Sequence, residues 1–181
     1  MANVNAPFGF RPLMRTLAGG RVAAIPAHKL VGYLTALFIN DVVTHAASGT
    51  KNNACIDAAI TPGTTPVLGV NLIYGAAATA TDHLVIVAEG GAVFAVQGDG
   101  TGATFLVAAS LSKNANMALT AGNADLKLSK HELSETSLAT TNTLDLKVRK
   151  LLEVPGNVAG QYARVEVTFN NLVGGNQEAG I

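Results

Sequence analysis

Three short stretches carry residue types that could do chemistry. Gly98-Asp99-Gly100-Thr101-Gly102 has the glycine density of a phosphate-cradling loop. It follows an apolar run without opening a helix and lacks the Lys-Ser/Thr pair that grips a nucleotide, so it reads as a tight turn. His131-Glu132 begins like a zinc-protease helix, but no second His follows at the spacing that chemistry requires. Lys130-His131-Glu132-Leu133 is internal and therefore no retrieval signal. Asp82-His83 could supply metal ligands at the start of a strand, yet a lone His with one acidic neighbour is more often a surface turn. Cys55 stands alone, which excludes an internal disulfide framework and a cysteine-based zinc site. No Gly-x-Ser-x-Gly elbow is present, and the acidic residues are scattered without a pair flanking a cleft. The expectation is a protein that is not an enzyme and has no catalytic residue, cofactor or metal.

A fourth stretch offers contact rather than catalysis. Asn5-Ala6-Pro7-Phe8-Gly9-Phe10-Arg11-Pro12 sets two aromatics and one cation among small residues. Pro7, Pro12 and Pro26 bias the residues before them away from helix, and Gly9, Gly19 and Gly20 interrupt any regular run. Residues 1–27 therefore read as an extended N-terminal arm on a body of residues 28–181. Exposed phenylalanines on a free tail are costly unless a partner covers them. Asn5, Pro7, Phe8, Gly9, Phe10, Arg11 and Pro12 are accordingly the candidate partner-binding residues, disordered in the free chain and ordered on the partner. The competing reading folds Phe8 and Phe10 back onto their own barrel.

Composition narrows the function classes. The chain has 181 residues, enough for one domain or one domain with an arm. Twelve Lys+Arg against twelve Asp+Glu leave no net field to recruit nucleic acid or an anionic membrane. Charged residues are 13% of the chain, about half the ~25% of ordinary domains. Thirty alanines swell the hydrophobic fraction, and Trp is absent. A surface so poor in charge suits contact with other protein, which predicts a homodimer or homotrimer. The N-terminus lacks the basic stretch and apolar run of a secretory signal. The aliphatic run at 30–39 is far short of the ~20 residues that span a bilayer, and Pro62 and Pro66 spoil the uncharged run at 58–81.

From His28 onward the patterning is β. Residues 30–39 read as a strand, followed by a turn at Asn40-Asp41, a short strand at 42–45 and a loop at 48–53. Residues 67–74 form another candidate strand. Residues 84–88 and 92–97 are separated by Glu89-Gly90-Gly91, a hairpin-length connection. The glycine-rich turn at 98–102 precedes a strand at 104–108, and residues 111–137 are ambiguous, with 125–133 either strand or short helix. The sharpest signal comes last. Apolar and charged residues alternate strictly through 144–149 and again through 163–169, so each segment has one buried and one wet face. Pro155-Gly156-Asn157 marks the turn of an antiparallel hairpin over 144–152 and 162–169, with Leu146, Val148, Val165 and Val167 in the core. The fold class is mainly β: a single antiparallel sandwich, jelly roll or barrel carrying the arm.

The Asn5 to Pro12 stretch resembles the opening of the tailed-bacteriophage capsid decoration, or cement, proteins. The likeness continues in order through Val67-Leu68-Gly69-Val70, Tyr74, Val93-Phe94-Ala95-Val96-Gln97, residues 146–152, Asn157, Val165-Glu166-Val167 and Asn170-Asn171. The resemblance implies a non-enzymatic virion protein, made in the host bacterial cytoplasm, that binds the outer surface of the assembled head. Its partners would be the phage major capsid protein and its own copies, with no nucleic acid, membrane or small-molecule substrate. It would bridge neighbouring capsid subunits against internal DNA pressure. Two alternatives stay open: a host- or carbohydrate-binding β module of a virion, and a small β-barrel ligand-binding protein.

Overall fold

The strict alternation near the C-terminus folds as its pattern demands. β11 (Leu146–Leu151) and β12 (Arg164–Phe169) pair antiparallel, with Leu146 opposite Phe169 and Val148 opposite Val167. Leu146, Val148, Val165 and Val167 are all buried. The register slips between Val148 and Lys150, a bulge that sets Lys150 opposite Glu166 and Leu151 opposite Val165.

The computed structural model of the chain describes residues 3–30, 33–46, 54–101, 106–173, 175, 177 and 180, and only the backbone of 54, 55 and 57. Ten further strands precede the hairpin: β1 (Arg11–Thr16), β2 (Ala24–Lys29), β3 (Val42–His45), β4 (Ala54–Asp57), β5 (Gly69–Asn71), β6 (Thr81–Val87), β7 (Ala92–Gln97), β8 (Asn114–Ala115), β9 (Met117–Ala118) and β10 (Glu132–Leu133). One antiparallel sheet has the order β1-β7-β12-β11-β8. A second group, β2-β4-β3-β5-β6, closes into a small ring in which only the β2–β4 pair is parallel. β9 and β10 form a separate pair. The chain is thus mainly β and sandwich-like, because the ring's outer wall packs on the sheet. Val42, Val70 and Ile86 from the ring share one core with Phe94, Val96, Val148, Val165 and Val167 from the sheet. Ala27, Leu37, Val43, Ile56, Leu68 and Val85 fill a second core. No helix among the described residues is long and apolar enough to cross a membrane.

Several expectations are corrected. Residues 1–27 are not a separate arm over the stretch described. β1 is the edge strand of the sheet and β2 belongs to the ring. Proline misleads here because both proline-bearing strands have an unpaired side at that point. Pro12 faces only β7, and β2 meets β4 only from Ala27 onward, past Pro26. Phe10 is fully buried, its ring 5.3 Å from that of Phe169, which lies 5.1 Å from Phe94.

Strands β6 and β7 are not a hairpin. β6 pairs within the ring and β7 lies between β1 and β12, so the connection steps from one group to the other. Gly90 and Gly91 both have positive φ there. The aliphatic run at 30–39 is not a strand over its described part. It is pinned at two isolated bridges, Leu37 to Gly75 and Ile39 to Leu128, and Leu34 is 80% exposed. The strand expected over 67–74 shrinks to β5. Of 111–137 only β8, β9, β10 and a 3-10 turn at Glu135–Ser137 are regular. The loop at 48–53, Gly102 and residues 104–105 lie outside the described residues, and the rest of the strand expected over 104–108 is a single bridge from Leu106 to Gly160 running into a 3-10 turn at Ala108–Ser110.

The face of the hairpin expected to be wet is partly covered. Asp145, Glu166 and Thr168 are buried. Asp145 accepts the Gly63 N–H on both carboxylate oxygens, at 2.9 and 2.8 Å, and its carbonyl accepts the Asn170 N–H at 2.6 Å. Glu166 pairs with Arg15, which reaches it from the edge strand, and with Lys150 at 3.6 Å. Phe10→Ala should lower unfolding free energy in urea by about 3–5 kcal/mol. A loss under ~1 kcal/mol would return the N-terminal segment to the status of an accessory arm.

Candidate partner-binding surface

In a regular strand, residues two apart share a face, so Phe8 and Phe10 would point the same way. Gly9 prevents this. Its φ is +73°, and a Cβ there would lie 2.4 Å from Ser129 Cβ and 2.6 Å from the Asn40 carbonyl oxygen, so only glycine fits. The chain turns at Gly9, sends Phe10 into the core and leaves Phe8 half-buried on the outside. The Asn40 turn grips both sides of this step. The Phe10 N–H donates to the Asn40 carbonyl at 3.0 Å, and Asn40 Nδ2 donates to the Phe8 carbonyl at 2.9 Å.

The rest of the segment is tied down as a strap. Gln97 Oε1 accepts the Ala6 N–H and Gln97 Nε2 donates to Asn5 Oδ1, both at 3.2 Å. Asn3 Nδ2 donates to the carbonyls of Val158 and Gln161 at 2.8 Å. On the outer side the Phe8 ring centroid lies 5.6 Å from Arg11 Cζ and 5.8 Å from Arg164 Cζ. The electron-rich ring holds two like charges side by side that would otherwise repel. Of the residues singled out in the sequence, Gly9 and Phe10 are interior, Pro7, Phe8 and Pro12 half-buried, Asn5 and Arg11 exposed. Arg164 joins them only through the fold. Its place in a charged alternation 150 residues away marks it as surface, not as a neighbour of Phe8.

A second cluster has no local signature, because Asp99 is distant in sequence from its two glutamates. The Gly98–Leu133 bridge draws Asp99, Glu132 and Glu135 together. Asp99 Oδ1 accepts the N–H groups of Thr101 and Glu135, at 3.1 and 3.2 Å. Glu135 is fully buried, and a Cβ on Gly98 would lie 2.1 Å from its Oε1. Glu132 Oε1 has no hydrogen-bond partner among the described residues, and only the Leu106 main chain favours the ionised form of Glu135. Burial first, then the nearby Asp99 charge, pushes both Glu132 and Glu135 up to about 7. Both glutamates therefore hold their protons up to about pH 7. No group of three His, Cys, Asp or Glu suited to a metal ion occurs among the described residues.

The other polar groups have structural surroundings. His131 Nε2 lies 3.4 Å from Asp41 Oδ1, both buried, with burial raising the carboxyl and lowering the imidazole. Ser129 completes a hydrolase-like set of residue types, but it is fully buried, and its Oγ accepts the His131 main-chain N–H at 3.1 Å. Asp82 and His83 point apart, as neighbours on a strand must. Exposed Asp82 lies 2.8 Å from His28 Nδ1, and buried His83 sits 2.8 Å from Asn71 Oδ1. Gly100 packs on the Tyr162 ring, where a Cβ would lie 2.3 Å from Cε1, so close packing explains the glycine-rich turn. Cys55 falls on β4, its side chain outside the described residues. An apolar cavity of about 150 Å³ opens among Leu106, Val107, Leu111, Val148, Leu151 and Val165.

Compared with family models, curated proteins and solved structures, the chain matches none. The acidic cluster sets a pH dependence whose sign follows from the raised values. Each folded-state value lies above the ordinary 4.5, so the stability it contributes is complete below pH 4.5 and is lost as pH rises to about 7. Glu135→Gln should therefore be more stable than the native chain at pH 8, by on the order of 2 kcal/mol in urea unfolding, with the gap closing towards pH 4.5. A gap independent of pH would show that Glu135 does not titrate in this window.

Proposed function

We propose that the chain is a structural virion protein, a capsid decoration or cement protein that binds the outside of an assembled tailed-phage head. It bridges neighbouring major capsid subunits there, as a homodimer or homotrimer, and stabilises the shell against internal DNA pressure. It performs no catalysis. One observation carries this reading: the stretch that resembles the family's opening is a strap locked on one side by Phe10 and presenting Phe8, Arg11 and Arg164 on the other.

A contact surface held in place before the partner arrives loses little entropy on docking. Repetition over a lattice then makes modest single interfaces sufficient. The ligand-carrier reading finds less support. The second core fills with aliphatic side chains, and cavities of about 150 and 260 Å³, the larger one beside Asn3 and Tyr162, are below the ~300 Å³ of ordinary ligand pockets.

The test uses expanded heads of the phage that encodes the chain. The protein should bind at a copy number of the same order as the major capsid protein and raise the temperature at which heads rupture. Phe8→Ala should weaken that binding by about tenfold while the free protein melts within a few degrees of the native chain. A handful of copies at one vertex would replace cement with a host-binding module, and no binding at all would sink both.

A further inference from the structure

The register of the five-stranded sheet collects charge on its outer face. Arg11 on β1, Ala95 on β7, Glu166 on β12 and Lys150 on β11 form one continuous cross-strand row. Gln97 and Arg164 form the row on one side of it, and Thr168 and Lys147 the row on the other. Arg15 reaches Glu166, and Arg149 Nε donates to Thr168 Oγ1 at 2.9 Å. Among the described residues six of the chain's twelve cations thus share a face with Glu166, and Glu153 lies 3.4 Å from Lys150 at its edge. That is a surplus of four positive charges on a chain whose formal charges balance. Neither Arg11 nor Arg164 pairs with a carboxylate among the described residues. The strap crosses this face, so Phe8 sits between these two guanidiniums.

We propose that this cationic face is the docking surface, and that its occupant is a carboxylate-rich protein surface. The identity of the occupant deepens the decoration reading and, on a head, rests on it, but the charge preference can be tested without a head. One feature favours protein over nucleic acid. The Phe8 ring is engaged by two guanidiniums instead of standing free to stack on a base. Planar guanidiniums held at fixed spacing match carboxylates in a two-pronged way that a lysine-studded surface does not. The local surplus turns the cationic face towards an acidic partner during approach.

The experiment measures binding of the full chain to poly-L-glutamate and to a random-sequence DNA duplex by calorimetry at low salt. Arg11→Gln/Arg164→Gln, which keeps the side-chain stems, is compared with Arg21→Gln/Lys127→Gln, which removes two exposed cations elsewhere. Poly-L-glutamate should bind, be released as salt rises to about 0.5 M, and lose about tenfold in affinity with the first pair alone. Equal losses for both pairs, or no binding of poly-L-glutamate, overturns the proposal. Tighter binding to DNA than to poly-L-glutamate overturns the assignment of a protein occupant. Loss of binding to heads with polyglutamate binding intact refutes the capsid reading and leaves the charged face standing. Should the first pair melt early, Arg164→Gln alone is expected to lose at least threefold, and no loss counts against the proposal.

Discussion

The packing of Phe10 against Phe169, and of Phe169 against Phe94, is the contact on which the remaining architecture depends. Burying one phenylalanine contributes ~2 kcal/mol or more. Here it also closes a loop of over 150 residues between the two ends of the described chain. With Phe10 inside, β1 must run along β7, which places Arg11 beside Ala95 and brings Arg15 to Glu166. Gly9 is the compensating element. It alone can take the left-handed turn against Ser129 that separates the two phenylalanines. One residue without a side chain divides the strap into an anchor and a presented surface.

Irregular backbone makes up much of the chain, and every buried N–H and C=O in it needs a partner. Asparagine and aspartate supply many of them. Asn157 clasps the hairpin connection by donating to the Leu152 and Arg164 carbonyls and accepting the Arg164 N–H. Asn71 Nδ2 donates to the carbonyls of Phe38 and Ile73, and Asn170 Nδ2 to those of Asn142 and Leu144. Asp145 instead accepts the Gly63 N–H on its carboxylate. The asparagines satisfy the backbone without any charge to hide. A low charged fraction and many asparagines are two aspects of one solution.

An acidic cluster and a cationic face lie in two different places. Asp99, Glu132 and Glu135 gather at the Gly98 turn, where burial favours the protonated form of the two glutamates. Half of the cations gather on the outer sheet face, whose centre holds an ionic anchor at Glu166. Such segregation leaves a neutral chain electrically lopsided. Net charge, which argued against a long-range field, is blind to it.

The sequence alone determined the strand class, the C-terminal hairpin and its four core residues, because strict alternation leaves one face for the interior whatever surrounds it. It also marked Asn5 to Pro12 as unusual. What it could not decide was where that stretch goes. Proline and glycine punctuation means irregular chain in isolation, yet an edge strand tolerates both, and being an edge is a property of the assembled sheet. The same limit explains β6 and β7, whose short connection suits a hairpin until the sheet assigns each strand other neighbours. It explains Glu166, which alternation sends outward and Arg15 then covers. The acidic cluster and the meeting of Arg11 with Arg164 were beyond reach for a further reason. Asp99 lies far along the chain from Glu132 and Glu135, and Arg11 farther still from Arg164, and no local pattern encodes a distance that only closure of the fold creates.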